Sequence, residues 1–323
     1  MSLLRSGAPE GAQEKEELPE PDFLRLPQPG QCFSARAARL RQLAQNSAQP
    51  QFLRFCAHLA QAQQQTLEEF PAVPLPDADV LAQLDGKLPP LPAHLYARAP
   101  AWLEALRHLA QRMQTHAPQG SRAALAALAR ARAERLETYA DWVLHGARGE
   151  RAAGELDEIC AAVLAGALQV YWTRMVTDLA RRIPGALGRI RDATCCPCCG
   201  ALPVTSVLRG AGQRYLHCAL CGSQWHMERA KCSHCESTYG ITYQAPQPAD
   251  GRGQAPSVQV EVCSACRHYL KIVHAERDDT ADALADDLAT PTLDARLNEA
   301  GIRRRGVNLM RLCEGMPAVS RAA

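Results

Sequence analysis

Between Ser34 and Ile183 the apolar residues recur at helical spacing. In PQFLRFCAHLAQAQQQTLEEF, residues Phe52, Phe55, Cys56, Leu59 and Ala60 fall at i, i+3 and i+4 intervals and share one face. SARAARLRQLAQ opens on Ser34, a residue type suited to an N-cap. PLPDADVLAQL predicts a short helix after prolines, and PAWLEALRHLAQRM starts with Pro100 where a missing N–H costs little. SRAALAALARARAERLETYADWVLHG predicts one helix from a Ser cap to Gly146. ELDEICAAVLAGALQVYWTRMVTDLARRIPG predicts a long helix stopping at Pro184 and Gly185. The sum is a bundle of about six helices.

At Arg191 the period changes. Short runs such as VTSVL, RYLHC, GITYQ and VQVEVC alternate with turn-rich RGAGQ and PQPADGRGQAPS, which predicts small β-hairpins. From Asp278 to about Ala300 the pattern returns to helix, with seven acidic residues and one base between Glu276 and Asp294. Residues 1–31 are rich in Pro, Glu, Gln and Gly without periodicity and predict a disordered or extended arm. The expected architecture is α+β: an N-terminal all-α helical bundle, two small rubredoxin-like or zinc-ribbon β modules, and a short C-terminal helix. The expected divisions are an arm at 1–31, a helical domain at 32–190, ribbons at 191–230 and 231–275, and a helical tail at 276–323.

Composition adds exclusions. At 323 residues and 47% hydrophobic content the chain can bury a sizeable core, and a net charge of +2 gives no bulk reason to bind nucleic acid. No positively charged leader with an apolar h-region opens the chain. The longest apolar run, Ile159 to Trp172, contains Gln169 and is shorter than the roughly 20 residues a membrane span needs. A buried helix, no membrane span and a cytoplasmic location are the expectations. No Ser/His/Asp motif, phosphate loop or dinucleotide fingerprint points to an enzyme. His58, His94, His108, His116 and His145 are isolated in sequence and read as ordinary polar residues.

The candidate chemistry lies in cysteine. Ten of the fourteen cysteines fall between Cys195 and Cys266 and include four Cys-x-x-Cys knuckles: Cys196/Cys199, Cys218/Cys221, Cys232/Cys235 and Cys263/Cys266. In a reducing compartment such pairs are metal ligands rather than disulfides. Two intervening residues let both thiolates face one ion, and a second knuckle completes a tetrahedron with bonds of about 2.3 Å. Two sites of four cysteines leave no open position, which argues against a catalytic metal. Chain order and the shared trailing glycine of CPCCG and CALCG favour pairing knuckle one with two and three with four, with an interleaved pairing open. In TCCPCCG the proline and glycine set the register at Cys196 and Cys199, with Cys195 and Cys198 as extra thiols or, in the alternative register, as the ligands themselves. Arg214, Arg229, Lys231, Arg267 and Lys271 are candidates to offset the net −2 of a divalent ion with four thiolates. Iron and zinc both suit such sites.

CCPCCGALPVTSV, RYLHCALCGSQWHMERAKCSHCE, VEVCSACRHYLKIVHAERD and ADDLATPTLD together resemble the formate dehydrogenase accessory protein FdhE family over about residues 190–310. Gly222, Pro291 and the extra Cys195 and Cys198 depart from the family pattern. The resemblance implies a non-catalytic cytoplasmic maturation factor that binds the catalytic subunit of a respiratory formate dehydrogenase. It implies two rubredoxin-like sites associated with iron. On that reading the WHMERAK loop (Trp225, His226, Arg229, Lys231) and ADDLAT (Asp286, Asp287) are the expected partner surface, and a homodimer is open. The bland reading of Asp286 and Asp287 is a favourable interaction with a helix start. Competing functions are a redox protein acting on a client metalloenzyme cofactor and, less favoured, a nucleic-acid-binding ribbon.

Overall fold

The computed structural model describes residues 20–84, 86–144, 156–191, 193–245 and 256–313. Within them the helical half contains α1 (Cys32–Leu43), α2 (Pro50–Glu68), α3 (Ala78–Gln83), α4 (Ala101–Met113), α5 (Gln119–Ala129), α6 (Ala133–Leu144) and α7 (Glu158–Arg182). A two-residue strand, β1 (Leu24–Arg25), precedes them. The C-terminal half carries β2 (Pro203–Arg209), β3 (Gln213–Cys218), β4 (Gln224–His226), β5 (Ile241–Gln244), β6 (Val258–Cys263) and β7 (His268–His274). It ends with α8 (Ala283–Leu288), α9 (Pro291–Glu299), β8 (Arg303–Arg304) and a 3₁₀ turn, Leu309–Cys313. The arrangement is α+β.

Several local expectations are corrected by tertiary partners. Ser34 does not cap α1, which begins two residues earlier. Gln64 of α2 caps it instead, its Oε1 accepting from the Phe33 and Ser34 N–H groups at 3.2 Å each. The predicted single helix after Pro118 is two. The last turn of α5 closes with i→i−3 bonds from Arg130 and Ala131 to Ala127 and Leu128, without a glycine or proline to announce it. Ser121, the expected cap there, lies inside α5 and donates to Asp157 at 3.0 Å. Gly146, the expected end of that single helix, lies outside the described residues, as does most of PQPADGRGQAPS.

α7 is the axis of the bundle. Asp157 caps it by accepting from Ile159 and Cys160 N–H. The helix is long and apolar enough to cross a membrane by length and composition, but 94% of its apolar window is buried within this fold. Gln169, the polar residue inside its longest apolar run, is held by two partners. Gln169 donates to the Ala219 carbonyl at 2.6 Å and accepts from Gln63 at 2.8 Å, so α2, α7 and the second knuckle are tied inside the core.

The strands form one sheet in the order β1-β4-β3-β2-β7-β6-β5, with β8 added beside β7. All neighbours are antiparallel except β2 with β7 and β7 with β8. The parallel β2–β7 pairing, Thr205 to Lys271 through Leu208 to His274, joins the two ribbons into a continuous surface. The described part of the arm is not loose: Leu24 pairs with Trp225, and the Phe23 carbonyl accepts from His226 N–H at 2.8 Å. Residues 1–19 lie outside the described residues.

The main core runs from the helices into the first ribbon, so that Leu53, Trp102 and Trp172 belong to the same cluster as Cys196, Cys199, Cys218 and Cys221. A smaller core packs Val258, Val260, Val262 and Tyr269 against Leu293 and Leu297 of α9. The expected single tail helix is broken by Pro291, which stands in the first turn of α9 where it lacks only an N–H that has no intrahelical partner.

Candidate metal centres

Each Cys-x-x-Cys knuckle is a tight turn that must reverse the chain while turning two thiols the same way. In the first, Gly200 N–H returns to the Cys196 carbonyl at 2.8 Å and Cys196 N–H to Ala201. The third and fourth close likewise, Glu236 to Cys232 at 3.0 Å and Arg267 to Cys263 at 2.9 Å. The residue after the second cysteine takes a left-handed conformation in all four: Gly200 and Gly222 at φ 74°, Glu236 at 60° and Arg267 at 56°. Glycine does this freely, whereas a side chain there costs about 1 kcal/mol or more. The trailing glycines of knuckles one and two therefore report a geometry that knuckles three and four share without them.

The turns bring eight cysteines into two groups, Cys196, Cys199, Cys218 and Cys221, and Cys232, Cys235, Cys263 and Cys266. Within each group all sulfurs lie within 4.8 Å of one another. The Sγ–Sγ distances are 3.5 Å for Cys196–Cys221 and Cys199–Cys218, and 3.8 Å for Cys232–Cys266 and Cys235–Cys263. A tetrahedron with metal–sulfur bonds of about 2.3 Å has edges of about 3.8 Å, so both groups fit an ion at their centres. Knuckle one is with two and three with four; the interleaved pairing is not what the fold makes.

The donor chemistry agrees. Burial pushes the Cys196, Cys199 and Cys218 thiols well above the usual range. Four crowded, buried sulfurs become favourable as thiolates only around a cation. Backbone N–H groups already point at the sulfurs: Leu220 and Cys221 at Cys218 Sγ, and His234 at Cys232 Sγ, each at 3.4 Å. A bound ion would lock the ribbons; iron would add a one-electron couple and zinc would not.

The two centres differ in exposure. All four cysteines of the first are buried, and the knuckle is docked on the connection between α3 and α4 through Leu91 N–H to the Cys198 carbonyl and Ala93 N–H to the Cys199 carbonyl. In the second, Cys235 is exposed and Cys266 half-buried, and Tyr239, in the stretch that follows Cys235, is 82% exposed. Cys195 is half-buried and outside both groups, while Cys198 is wholly buried and interacts with the Cys196 and Cys221 thiols. Cys198 is therefore packed into the first centre rather than standing at its edge.

The expected charge-balancing bases mostly serve elsewhere. Arg214, 1% exposed, pairs with Glu261 at 2.9 Å and donates to the Glu228 and Lys231 carbonyls, which bridges the two ribbons. Arg267 reaches the Ala300 carbonyl at 2.9 Å, and Lys231 pairs with Glu236. Lys271 is fully buried and faces the tail. Near the second centre it is Arg305, not anticipated, that donates to the Ser233 carbonyl at 3.0 Å. His234 is half-buried, its ring 4.1 Å from that of His268, and neither joins the ligand groups. His58 and His116, isolated in sequence, stack at 3.7 Å.

The expected partner surface divides. Trp225 is 0% exposed and donates from Nε1 to the Ala193 carbonyl at 2.7 Å. Asp286 and Asp287 are 1% and 0% exposed. None of these three is available to a partner, and this corrects the sequence reading. The alternation of β4 puts Trp225 into the core and leaves His226 half-buried, while Arg229 is exposed beyond the strand. Asp286 holds Arg39 of α1 through a two-pronged bond of 2.6 and 3.0 Å. Asp287 is met by Lys271 at 3.1 Å, Arg304 at 2.8 Å and Asn308 at 2.9 Å. Burial alone would raise the Asp287 pKa, but Arg304, Lys271 and Arg311 together outweigh it and hold the carboxyl well below the usual range. Asp282, which the sequence reading passed over, is the actual cap of α8 and pairs with Arg36 at 3.1 Å. An Asp one residue before the apolar ALADDL run was its signal.

Three family models match the chain: FdhE, N-terminal, over residues 21–187; FdhE, central domain, over 195–229; and FdhE, C-terminal domain, over 230–311. A "Protein FdhE homolog" of Edwardsiella ictaluri is 38% identical over 289 residues, covering 88% of this chain and 90% of the relative. One of Yersinia enterocolitica is 34% identical over 279 residues, covering 85% and 86%. The crystal structure of the FdhE protein from Pseudomonas aeruginosa superposes with a TM-score of 0.79 at 35% identity, covering 90% of this chain and 98% of that one.

Proposed function

The chain belongs to the FdhE family, and on that premise we propose that it is a cytoplasmic, non-catalytic maturation factor that binds the catalytic subunit of a respiratory formate dehydrogenase. Family membership supports a formate dehydrogenase accessory role. The observation that carries the finer reading is the exposed rim of the second four-cysteine centre. It offers a large aromatic, Tyr239, and the neighbouring basic loop with Arg229 on a rigid, metal-braced ribbon. Aromatic and arginine side chains held rigidly are the groups that dominate protein–protein contacts. The first centre, buried in the main core, is on this reading structural.

The test is co-purification with the formate dehydrogenase catalytic subunit. Wild-type protein captures it, and Tyr239→Ala with Arg229→Ala weakens capture at least tenfold while both metals are retained. No capture by the wild type overturns the proposal. Exposure of Cys235 also favours a second reading, electron exchange with a client cofactor through an iron-loaded second centre. Full accessory function with zinc in both sites removes that reading.

A further inference from the structure

A cleft of about 620 Å³ opens where the arm, α1, the ends of β2 and β3 and the chain before α8 meet. It is separate from the exposed rim described above and adjoins the first centre, since Cys218 and Gly222 of the second knuckle line it. Four arginines and two aspartates also line it: Arg25, Arg36, Arg39, Arg209, Asp279 and Asp282.

These arginines are not equivalent. Arg36 is matched by Asp282 at 3.1 Å, and Arg39 by Asp286 at 2.6 Å and Asp278 at 2.8 Å. Arg25 and Arg209 have no carboxylate partner among the described residues. Arg25 rests over the Tyr215 ring, 5.5 Å from its centroid, and Arg209 donates from Nε to the Gln224 Oε1 at 3.2 Å. Burial, then the positive charge of Arg25, lowers the Arg209 pKa, against a smaller opposing effect of Tyr215 and Asp282.

The bond from Arg209 fixes more than its own position. Arginine only donates, so the Gln224 oxygen must face it, and the Gln224 amide nitrogen must face His217 Nδ1 at 3.1 Å. Nδ1 is then the acceptor, and the His217 proton sits on Nε2. His217 is 5% exposed, lines the cleft, and its Nε2 has no hydrogen-bond partner. A buried donor without an acceptor is unfavourable, and two guanidiniums without a carboxylate hydrogen-bonded to them leave positive charge unmatched at the cleft. A small molecule bearing an oxyanion would answer both guanidiniums.

We propose that this cleft binds a small phosphate- or carboxylate-bearing molecule, with Arg25 and Arg209 holding the oxyanion. The volume falls within the range of about 300–1,000 Å³ typical of small-molecule sites. The bound molecule would also cross-link the arm, α1, the sheet and the tail. The inference rests on these contacts alone and stands whether or not the catalytic-subunit reading holds.

Isothermal titration of the full chain in moderate salt, with pyrophosphate and with citrate as probes, tests it. At least one probe is expected to bind one-to-one with Kd below about 1 mM. Arg25→Gln with Arg209→Gln should weaken that binding at least about tenfold with metal content unchanged, whereas Arg54→Gln, an exposed arginine outside the cleft, should leave it unaltered. Tighter binding of pyrophosphate would identify a phosphorylated ligand, and tighter binding of citrate a carboxylate. Binding of neither probe by the wild type, or equal binding by the double variant, overturns the proposal.

Discussion

Replacing Asp287 by alanine should destabilise this protein by about 3–5 kcal/mol, as expected for breaking a buried ion pair. Asp287 and Asp294 share three cations. Lys271 meets them at 3.1 and 2.6 Å, Arg304 at 2.8 and 3.1 Å, and Arg311 at 3.8 and 2.6 Å. Without Asp287, three cations face one carboxylate, and Lys271, 0% exposed, cannot turn to water. Arg304 and Arg311 keep 12–13% of their side-chain surface and can relax outward, which places the expected loss near the lower end, about 3 kcal/mol. At about 2–4 °C per kcal/mol, the midpoint should fall by roughly 6–12 °C. The assay is thermal and urea unfolding with metal content measured in parallel, and Glu299→Ala, an exposed acid, as a control expected within about 0.5 kcal/mol. The sign with pH follows from the depressed Asp287 pKa. The unfolded carboxyl, near about 3.9, takes up its proton first as pH falls, so the stabilisation is complete above about pH 5 and is lost in stronger acid. A loss below 1 kcal/mol, or one that vanishes between pH 6 and 8, would refute the network as the brace of the tail.

Three further outcomes are expected. The second centre should release its metal to a chelator before the first, and Cys235 should be the first ligand modified by a thiol reagent, because it is exposed while all four ligands of the first centre are buried; simultaneous release would count against the difference. Cys199→Ser should lose the first metal, whereas Cys198→Ser should keep both by elemental analysis, since Cys198 packs against the centre without belonging to the ligand group. Glu236→Gly should stabilise the chain by about 0.5–1 kcal/mol in urea unfolding, because the left-handed φ of 60° costs a side chain about 1 kcal/mol or more and the half-exposed Lys231 pair it loses contributes less; a net loss would show that the pair outweighs the strain.

The eight cysteines that gather into two metal-fitting groups were legible because the Cys-x-x-Cys requirement is local chemistry. A tetrahedral ion needs two thiols from one turn, and the Cys-x-x-Cys spacing writes that requirement into adjacent positions. The glycines after knuckles one and two were legible for the same reason: a positive φ is a demand on one residue. The N-terminal helices were legible through their period, although Ser34 was misread because the cap that acts on α1 is Gln64, thirty residues on.

The partner surface was misread for a reason of the opposite kind. An acidic pair in ADDLAT looks solvated in one dimension, and nothing nearby in sequence says that Arg39 lies 247 residues away against Asp286 or that Lys271, Arg304 and Arg311 enclose Asp287. Likewise the Arg209–Gln224–His217 relay links residues of three strands that only the sheet brings together. By itself, then, the sequence determined the helical period, the knuckles and their spacing, because each is set by neighbours within a few residues. Only the tertiary structure decided which knuckles share an ion, which charges are buried and which cations remain unmatched, because pairing, desolvation and charge balance are properties of the residues that meet in space.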